Sequence, residues 1–478
     1  MTAWLLIFSP LLAAAIAAAM PSNRWRPWVV PLGGLGHLVL VGLALLGGSV
    51  SAQDGWLVLD PLGKLVLGFI SVLFFLCSLY APAYLTLRVD RPNRLFCSCL
   101  LLILSMMTLV TLSHHLGLMW VAMEATTLSA GQLLFFNHNR RSLEATWKYL
   151  LIGSVGIALA LLGSFFLAYS LLHEGLQSSL LFDDLVRLAP QLSKPWLHTA
   201  FVLLLVGYGT KMGLAPMHTW KPDAYGEAPG LVGALMAGGV TSCAFLAILR
   251  FYQICHAAHE TAFASGLLVF MGLFSMAVAA VFMVRQRDFK RMLAYSSVEH
   301  MGILVLGVGL GGLATFGALL HLLTNGLTKG VLFLSAGNIH RAYASKSTED
   351  VHGALRRLPV SGPLFLAGFL AITGSPPGGP FLSEFTILNG AFSGGHFVVA
   401  GLFLLLLAIV FIGMGATVLS VVQGTPSSQA TATNYQDSVG LVAPILAFMA
   451  LVLLLGVYLP PPLESLLRDA VTFLEMKT

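Results

Sequence analysis

The chain has 478 residues, of which 57% are hydrophobic and 9% are charged. Soluble proteins usually contain about 25% charged residues, so this composition excludes an ordinary soluble globular protein and indicates an integral membrane protein. The formal net charge of +5 does not suggest a nucleic-acid partner, and the distribution of the charges along the chain is more informative than their sum.

Long apolar runs predict an all-α, polytopic membrane protein with about 14 transmembrane helices. A helix needs about 20 apolar residues to cross the hydrocarbon layer, whereas the strands of a membrane barrel would alternate in hydropathy. The first run lacks the preceding basic residues of a signal peptide, so a retained helix is expected there. The predicted spans 1 to 14 cover residues 2–20, 28–47, 60–85, 95–113, 115–136, 147–172, 198–219, 227–250, 262–285, 293–312, 314–340, 359–390, 397–423 and 438–458.

Most of the 25 lysine and arginine residues follow odd-numbered spans, and this asymmetry predicts the orientation of the chain. Basic loops mark the cytoplasmic side of a membrane. The segments 285–291 and 340–357 are therefore predicted to be cytoplasmic, as is Lys221, the single basic residue after span 7. Both termini are then expected on the outer, periplasmic side of a bacterial or archaeal cytoplasmic (inner) membrane. The amphipathic segment 462–475 is expected to lie in the outer interface.

Ionisable residues inside the predicted spans are the strongest functional signal in the sequence. A charged residue at the centre of a span costs roughly 2.5–3.5 kcal/mol on insertion scales and usually has a function. A single pair such as Glu124 with Lys211 is also explained by a structural ion pair between two helices. Several such groups with histidines among them instead favour a proton relay through short water chains. The candidate relay residues are Glu124, Lys211, His218, Glu299, His300, His321, Lys329 and Glu384.

Two of the predicted spans contain helix-breaking residues beside these charges. Span 7 is interrupted by Gly213 and Pro216, just after Lys211, and span 12 by GSPPGGP (374–380), just before Glu384. The two broken spans are five spans apart, an odd number, so a repeat of spans 4–8 in spans 9–13 must be inverted in the membrane. Inverted repeats with discontinuous helices are a known transporter design that places ion sites near the midplane.

This repeat predicts a division of the chain into four parts. They are the N-terminal spans 1–3 (residues 1–92), the first repeat (93–252), the inverted second repeat (253–424), and span 14 with a short C-terminal segment (425–478).

Four stretches of the sequence carry long motifs: MWVAMEATTL (119–128), GTKMGLAPMHTWKPDAYGEAP (209–229), RDFKRMLAYSSVEHMG (287–302) and HLLTNGLTKGVLFLSAGNI (321–339). These stretches resemble the signatures of antiporter-like membrane subunits. Such subunits occur in respiratory complex I, in Mrp-type sodium/proton antiporters and in membrane-bound nickel–iron hydrogenases. The resemblance covers essentially the whole chain, and within the family it is strongest to the F component of the hydrogenase-4/formate hydrogenlyase type.

The resemblance implies roles for individual residues. Glu124 and Lys211 match the family's buried ion pair, in spans 5 and 7. Lys329 matches the central lysine of span 11, and Glu384 matches the terminal relay residue of span 12. His321 falls where members of the family often have a histidine.

One position departs from the family pattern. Many relatives have a lysine or histidine in span 8, where this chain has Ser242. A hydroxyl group binds a water molecule but does not hold a proton between transfer steps. The bridge between the two halves of the relay is therefore expected to be water-mediated or interrupted.

The resemblance implies a proton-translocating subunit of a redox-driven respiratory or hydrogenase complex, and not an enzyme by itself. The sequence has no C-x-x-C set for an iron–sulfur cluster, so nickel–iron and iron–sulfur centres are expected in partner subunits. Other membrane subunits and a peripheral redox arm are the expected partners. Two alternatives stay open: a stand-alone or Mrp-like cation/proton antiporter, in which sodium could replace protons, and a structural spacer without a working relay.

Overall fold

The computed structural model describes residues 1–47, 50–177, 180–426 and 433–476, which form helices and one short hairpin. In the hairpin, β1 (Ser51–Ala52) pairs antiparallel with β2 (Leu57–Val58). A π-helical turn (Met236–Val240) joins α10 to α11, and two 3₁₀ turns cover Phe135–Asn137 and Ala189–Gln191. The helices are α1 (Thr2–Ala19), α2 (Arg26–Leu46), α3 (Pro61–Thr86), α4 (Arg94–Leu112), α5 (Leu116–Leu134), α6 (Arg140–His173), α7 (Phe182–Leu188), α8 (Lys194–Met212), α9 (Trp220–Glu227), α10 (Gly230–Leu235), α11 (Thr241–Ala257), α12 (Thr261–Met283), α13 (Phe289–Leu310), α14 (Leu313–Tyr343), α15 (Ala354–Arg357), α16 (Ser361–Ile372), α17 (Gly379–Ser393), α18 (Phe397–Val422), α19 (Val439–Val457) and α20 (Pro461–Leu474).

Within the described residues, eleven helices are long and apolar enough to cross a membrane. They are α1 to α4, α6, the continuous run from α10 to α11, α12 to α14, α18 and α19. The other three predicted spans coincide with α5, with the pair α8/α9 and with the pair α16/α17, where polar residues or a break shorten the apolar run. The predicted helical membrane class is confirmed, while the count of 14 spans stays a prediction.

The run from α10 to α11, together with α13 and α14, forms the centre of the molecule. The most apolar windows of these helices are almost entirely buried by other helices, whereas that of α18 is 28% buried. The exposed side chains of α18 include Val398, Leu405 and Ile412, and a face of such residues suits contact with lipid. Four of the eight candidate relay residues, Glu299, His300, His321 and Lys329, therefore lie on central helices that protein surrounds.

Both predicted helix breaks are present in the structure. Residues 213–219 separate α8 from α9, and residues 373–378 separate α16 from α17. Gly213 and Gly374 have φ angles of +85° and +72° at the start of the two breaks, a conformation that glycine adopts without steric cost. Each break also contains a cis peptide bond, Ala215–Pro216 in the first and Pro376–Pro377 in the second.

Each broken segment packs against one long, continuous helix. α6 contacts both α8 and α9, and α14 contacts both α16 and α17. The α6–α8 contact is close because glycines lie at the crossing: a Cβ atom at Gly156 would lie 2.6 Å from Thr210 Cβ, and one at Gly207 would lie 2.6 Å from the backbone nitrogen of Ala160. Small residues allow membrane helices to approach in this way.

The C-terminal helix α20 closes over the ends of other helices. It packs against α3, α11 and α14. Gln253 Nε2 donates to the carbonyl oxygen of Phe473 at 2.7 Å, and Glu475 Oε1 accepts from the backbone nitrogen of Gly312 and from Thr315 Oγ1. The predicted amphipathic segment is therefore helical, and its buried face lies on protein.

Candidate functional site

Lys211 lies in the last turn of α8, with its ammonium group between α5 and α6. Its side chain is buried, and Nζ donates to Thr127 Oγ1 and to the hydroxyl oxygen of Tyr149, both at 2.7 Å. The same nitrogen lies 4.7 Å from the centroid of the Tyr149 ring. These hydroxyl groups replace part of the hydration that the ammonium group loses on burial.

Glu124 is linked to Lys211 through a hydroxyl group and not by the direct ion pair that the family resemblance implies. None of the ion pairs within 4.0 Å in the described part of the chain joins these two side chains. Instead, Thr127 Oγ1 lies 3.2 Å from Glu124 Oε2, and Ser154 Oγ donates to Glu124 Oε1 at 2.8 Å. Glu124 is half-buried, and the neighbouring Val121 on α5 is exposed. The carboxylate therefore lies near the outer surface of α5 and α6, whereas Lys211 lies inside.

His300 and His321 form the centre of a second polar cluster, between α13, α14 and α17. Nδ1 of His300 lies 3.0 Å from Nε2 of His321, and Nδ1 of His321 lies 2.8 Å from Ser383 Oγ. Both rings are fully buried. A neutral imidazole donates through one nitrogen and accepts through the other, so this series is a hydrogen-bonded path suited to passing a proton from α13 to α17.

Two carboxyl groups flank the histidine pair. Oε2 of Glu299 lies 3.8 Å from Nε2 of His300, and Oε1 of Glu384 lies 4.0 Å from Nδ1 of the same ring. Glu384 occupies the break between α16 and α17, since its Oε2 would lie 2.5 Å from a Cβ atom at Gly374. The structure thus brings Glu299, His300, His321 and Glu384 together, as a relay requires.

Lys329 approaches the same cluster from α14. Its side chain is fully buried, and Nζ donates to Ser296 Oγ at 2.6 Å. Ser296 lies four residues before His300 on α13, so the two residues share one face of that helix. Lys329 and the histidine pair therefore lie along the same side of α13.

His218 lies apart from both clusters. It belongs to the segment between α8 and α9, and its ring is 6.5 Å from that of Phe282 and 6.3 Å from that of Tyr295. Its Nδ1 is buried without a hydrogen-bond partner in the described residues. No hydrogen bond found in this part of the chain joins His218 to another candidate relay residue.

Two buried lysines were missed by the charge-based topology, which placed both in solvated cytoplasmic segments. Lys221 on α9 is fully buried, and its Nζ donates to Ser297 Oγ at 3.0 Å. Lys290 at the start of α13 is also buried, and its Nζ donates to the carbonyl oxygen of Ala228 at 2.6 Å. Buried charges were predicted from their position inside long apolar runs, and neither lysine lies in such a run. Lys221 is buried because the chain turns back into the protein after the break between α8 and α9.

A third polar cluster, near the hairpin, was also not anticipated. Arg250 on α11 is fully buried, and its Nη2 donates to Asp60 Oδ2 at 3.1 Å. His114 Nε2 lies 2.8 Å from the same oxygen, and His114 Nδ1 lies 3.5 Å from Asp183 Oδ1. Asp183 is outside the apolar helices, and the His114 ring beside it lowers the pKa of the Asp183 carboxyl group. This series joins a buried guanidinium group to an exposed carboxylate.

One group of side chains has the composition of a metal site. His300, His321 and Glu384 each offer one ligand atom, and these atoms lie within 4.8 Å of one another. The 3.0 Å contact between the two ring nitrogens is a hydrogen-bond distance, and a hydrogen bond there uses a lone pair that an ion would need. The five cysteines are buried free thiols distributed over several helices, which does not suit an iron–sulfur cluster.

The fold and these clusters define the class: a polytopic helical membrane protein with two discontinuous segments and buried ionisable side chains at the breaks, as in many ion-coupled transporters. The chain belongs to the NADH:quinone oxidoreductase/Mrp antiporter family, whose transmembrane model matches residues 113–412. The predicted family membership is therefore confirmed.

Similar proteins extend this match over the full length. The chain is 33% identical over 474 residues to the hydrogenase-4 component F homolog of Methylacidiphilum infernorum (isolate V4), covering 96% of this chain and 97% of that protein. A chain of the membrane-bound sulfane sulfur reductase, an archaeal respiratory membrane complex, has a TM-score of 0.89 at 21% identity, with 99% and 97% of the two chains covered. A chain of the Mrp complex from Dietzia sp. DQ12-45-1b has a TM-score of 0.87 at 20% identity, with 100% and 98% covered. The two structures share the fold.

Proposed function

We propose that this chain is a proton-translocating membrane subunit of a redox-driven respiratory or hydrogenase complex. The observation that carries the proposal is the buried hydrogen-bonded series from His300 through His321 to Ser383. Ionisable groups inside a membrane protein are energetically costly and usually have a function such as proton transfer. Membership of the NADH:quinone oxidoreductase/Mrp antiporter family supports the same conclusion.

In the first half of the relay, Lys211 holds the proton and Glu124 controls its release. A negative Glu124 stabilises a protonated Lys211 through Thr127, because an opposite charge nearby favours the charged form. Glu124 lies near the surface of α5 and α6, where a neighbouring subunit could change its charge or its distance from Thr127. Loss of the negative charge favours release of the proton from Lys211.

In the second half, the proton passes by way of Lys329 and the histidine pair to Glu384, with Glu299 beside His300. Glu384 is the last of these groups along the chain and lies at the helix break. A broken helix frees backbone groups that need water or protein partners, so water at the break is the expected route onward from Glu384. His218 lies outside both clusters and would act only through water.

Redox chemistry belongs to partner subunits in this proposal. Nickel–iron and iron–sulfur centres would lie in a peripheral arm, and other membrane subunits would transmit the energy of electron transfer. The full-length similarity to a protein named as a hydrogenase-4 component F homolog supports this assignment. The chain would be an energy-coupling subunit with no catalytic activity alone.

The second candidate function is a cation/proton antiporter subunit without redox partners. The likeness of fold to a chain of the Mrp complex supports it. The two functions differ in what drives transport: a redox-coupled subunit moves protons only during electron transfer, whereas an antiporter exchanges protons for a cation such as sodium without it.

The proposed topology has 14 spans, inverted repeats at 93–252 and 253–424, and both termini on the periplasmic side of the cytoplasmic membrane. The matching breaks α8/α9 and α16/α17, each packed on one long helix, support the repeat. Inversion would present the two breaks to opposite sides of the membrane, which suits one entry route and one exit route.

The proposal is tested by redox-driven acidification of sealed membrane vesicles that contain the assembled complex. Lys211→Ala and Glu124→Ala are expected to abolish proton translocation while the subunit still inserts and assembles. Lys194→Ala, an exposed lysine at the start of the same helix, is the control and is expected to pump normally. Normal pumping in either relay variant would overturn the proposal, and cation-dependent proton flux without a redox donor would favour the antiporter.

A further inference from the structure

We propose that Lys221 is a proton-carrying residue that connects the first half of the relay, at Lys211, to the second half, at Lys329. This inference rests on the proposed function and adds a step to it. Proton transfer would convert the ammonium group of Lys211 to an amine, and the proton would pass through intervening water to the lone pair of a neutral Lys221. Lys221 would then give its proton to Lys329, directly or through hydroxyl groups and water, so that only N–H and O–H bonds form and break.

Lys221 has the environment of a functional charge and not that of a structural ion pair. Its side chain is 0% exposed, and no carboxylate oxygen in the described part of the chain lies within 4.0 Å of its Nζ. The nitrogen donates to Ser297 Oγ at 3.0 Å and lies 3.5 Å from the Ser297 carbonyl oxygen. A buried charge without an opposite charge is strongly destabilising, which makes Lys221 a candidate for a functional role.

The side chain of Lys221 lies in the break that follows Lys211. A Cβ atom at Gly213 would lie 2.4 Å from Lys221 Cε and 2.8 Å from Nζ. Gly213 is only two residues beyond Lys211. Lys221 therefore folds back over the end of α8, and the glycine provides the space that its ammonium group occupies.

The other end of the connection is a pair of adjacent serines on α13. Ser297 accepts from Lys221, and the preceding Ser296 accepts from Lys329. The two lysines thus approach the same turn of α13 from α9 and α14, where two positive charges would repel each other. Because this repulsion disfavours two protonated lysines, arrival of a proton on one favours departure from the other.

The second helix break contains a matching arrangement. There, Glu384 from α17 packs its carboxylate over Gly374, as Lys221 from α9 packs its ammonium group over Gly213. Each glycine has a positive φ angle and precedes a cis prolyl bond. Lys221 and Glu384 thus lie over the two breaks in a similar way, although Lys221 follows its glycine by eight residues and Glu384 by ten.

Lys221 also accounts for the unusual residue in span 8. Ser242 Oγ donates to the carbonyl oxygen of Gly238 in its own helix, so this hydroxyl is engaged within the π-helical region. A lysine or histidine carried by α11 would normally bridge the halves in the family that the chain resembles. In this chain a lysine reaches the central region from α9 instead.

The test compares proton translocation per electron in vesicles with the intact complex. Lys221→Met is expected to reduce translocation at least tenfold with assembly retained. Lys290→Met removes another buried lysine, one bound to a backbone carbonyl group, and is expected to leave translocation unchanged. Lys221→His keeps a titratable group with a lower intrinsic pKa, so translocation should persist with its pH dependence moved to lower pH. Adding Ser242→Lys to Lys221→Met should restore part of the activity.

The outcomes separate this inference from the proposed function. Loss of translocation in Lys211→Ala but not in Lys221→Met would overturn the role of Lys221 and leave the proposed function standing. Normal translocation in both variants would overturn both. If Lys221→Met does not assemble, Lys221→His decides: a moved pH profile supports a proton-carrying role, and an unchanged profile or complete loss shows a structural one.

Discussion

At the scale of single residues, the hydroxyl group of Thr127 separates the two charges of the first half of the relay. Thr127 accepts a hydrogen bond from Lys211 and is within donating distance of Glu124. A hydrogen bond to a charged group contributes about 1.5–3 kcal/mol. The threonine therefore determines how strongly the state of Glu124 is felt at Lys211.

The first prediction concerns this hydroxyl. Thr127→Val keeps the shape of the side chain and removes the bridge, so the rate of proton translocation in vesicles is expected to fall about tenfold. Thr126→Val is the matched control, since among the described residues Thr126 Oγ1 bonds only within its own helix, to Met123. Equal rates in the two variants would show that Glu124 acts on Lys211 by another route.

The second prediction concerns Arg250. Arg250→Met leaves the buried Asp60 without its guanidinium partner, and breaking a buried pair typically costs about 3–5 kcal/mol. The thermal unfolding temperature in detergent is therefore expected to fall clearly. Arg187→Met removes an arginine that is 72% exposed and should have little effect, because exposed pairs contribute about 0–1 kcal/mol. A similar unfolding temperature in both variants would mean that the cluster adds no stability.

The sequence predicted part of the candidate site at this scale. Glu299, His300 and Lys329 were found because an ionisable residue inside a long apolar run is conspicuous. Lys221 and Lys290 were missed because they lie in polar segments, where lysine is ordinarily solvated. Their burial depends on how α9 and α13 pack, and hydropathy holds no information about that packing.

At the scale of elements, the contact between α6 and α8 depends on two glycines that leave no room for a methyl group. A Cβ atom at Gly207 would lie 2.6–2.7 Å from backbone and Cβ atoms of Ala160. Backbone atoms do not move aside easily, so even an alanine would push the helices apart. This contact fixes the position of Lys211 against Tyr149.

The third prediction tests this contact. Gly207→Ala is expected to lower the free energy of unfolding by about 1–3 kcal/mol through overpacking and to reduce translocation as Lys211 moves. Gly42→Ala on α2 is the control, since no atom outside its own helix lies within 4 Å of its added Cβ. Thermal unfolding and proton translocation are measured on both variants. A Gly207→Ala protein with the same stability and translocation rate as the Gly42→Ala protein would contradict the proposed close contact.

The sequence predicted the two helix breaks, but it did not predict the β1–β2 hairpin or the π-helical turn. The glycines and prolines at 213–216 and 374–380 specify helix interruption by their backbone restrictions alone. The β1–β2 hairpin and the π-helical turn before α11 have no comparable signal. They depend on contacts such as that of Gly238 with Leu73, which tertiary packing creates.

At the scale of the whole molecule, all five cysteines are buried free thiols, so surface labelling of introduced cysteines has a low background. The fourth prediction uses this property to test the orientation. Arg187→Cys replaces a residue predicted to face the periplasm, and Arg287→Cys one predicted to face the cytoplasm; the native side chains are 72% and 80% exposed.

A membrane-impermeant maleimide added to intact cells should label Arg187→Cys and not Arg287→Cys. After the cells are opened, both variants should react. Labelling in the reverse order would invert the proposed topology, since positive charge in the loops is the evidence for it. Labelling of both variants in intact cells would instead show that the cell envelope was permeable to the reagent.

The position of Lys221 on the short helix α9 has a consequence for the control of proton transfer. α9 has eight residues, follows a break, and packs its buried side chains against α6 and α13. The bond from Lys221 to Ser297 is 3.0 Å long, and a shift of about 1 Å would exceed hydrogen-bonding distance. A small rotation of α9 would therefore break the hydrogen bond from Lys221 to Ser297 and interrupt proton transfer between the two halves of the relay. The protein would then translocate protons in only one of the two positions of this helix.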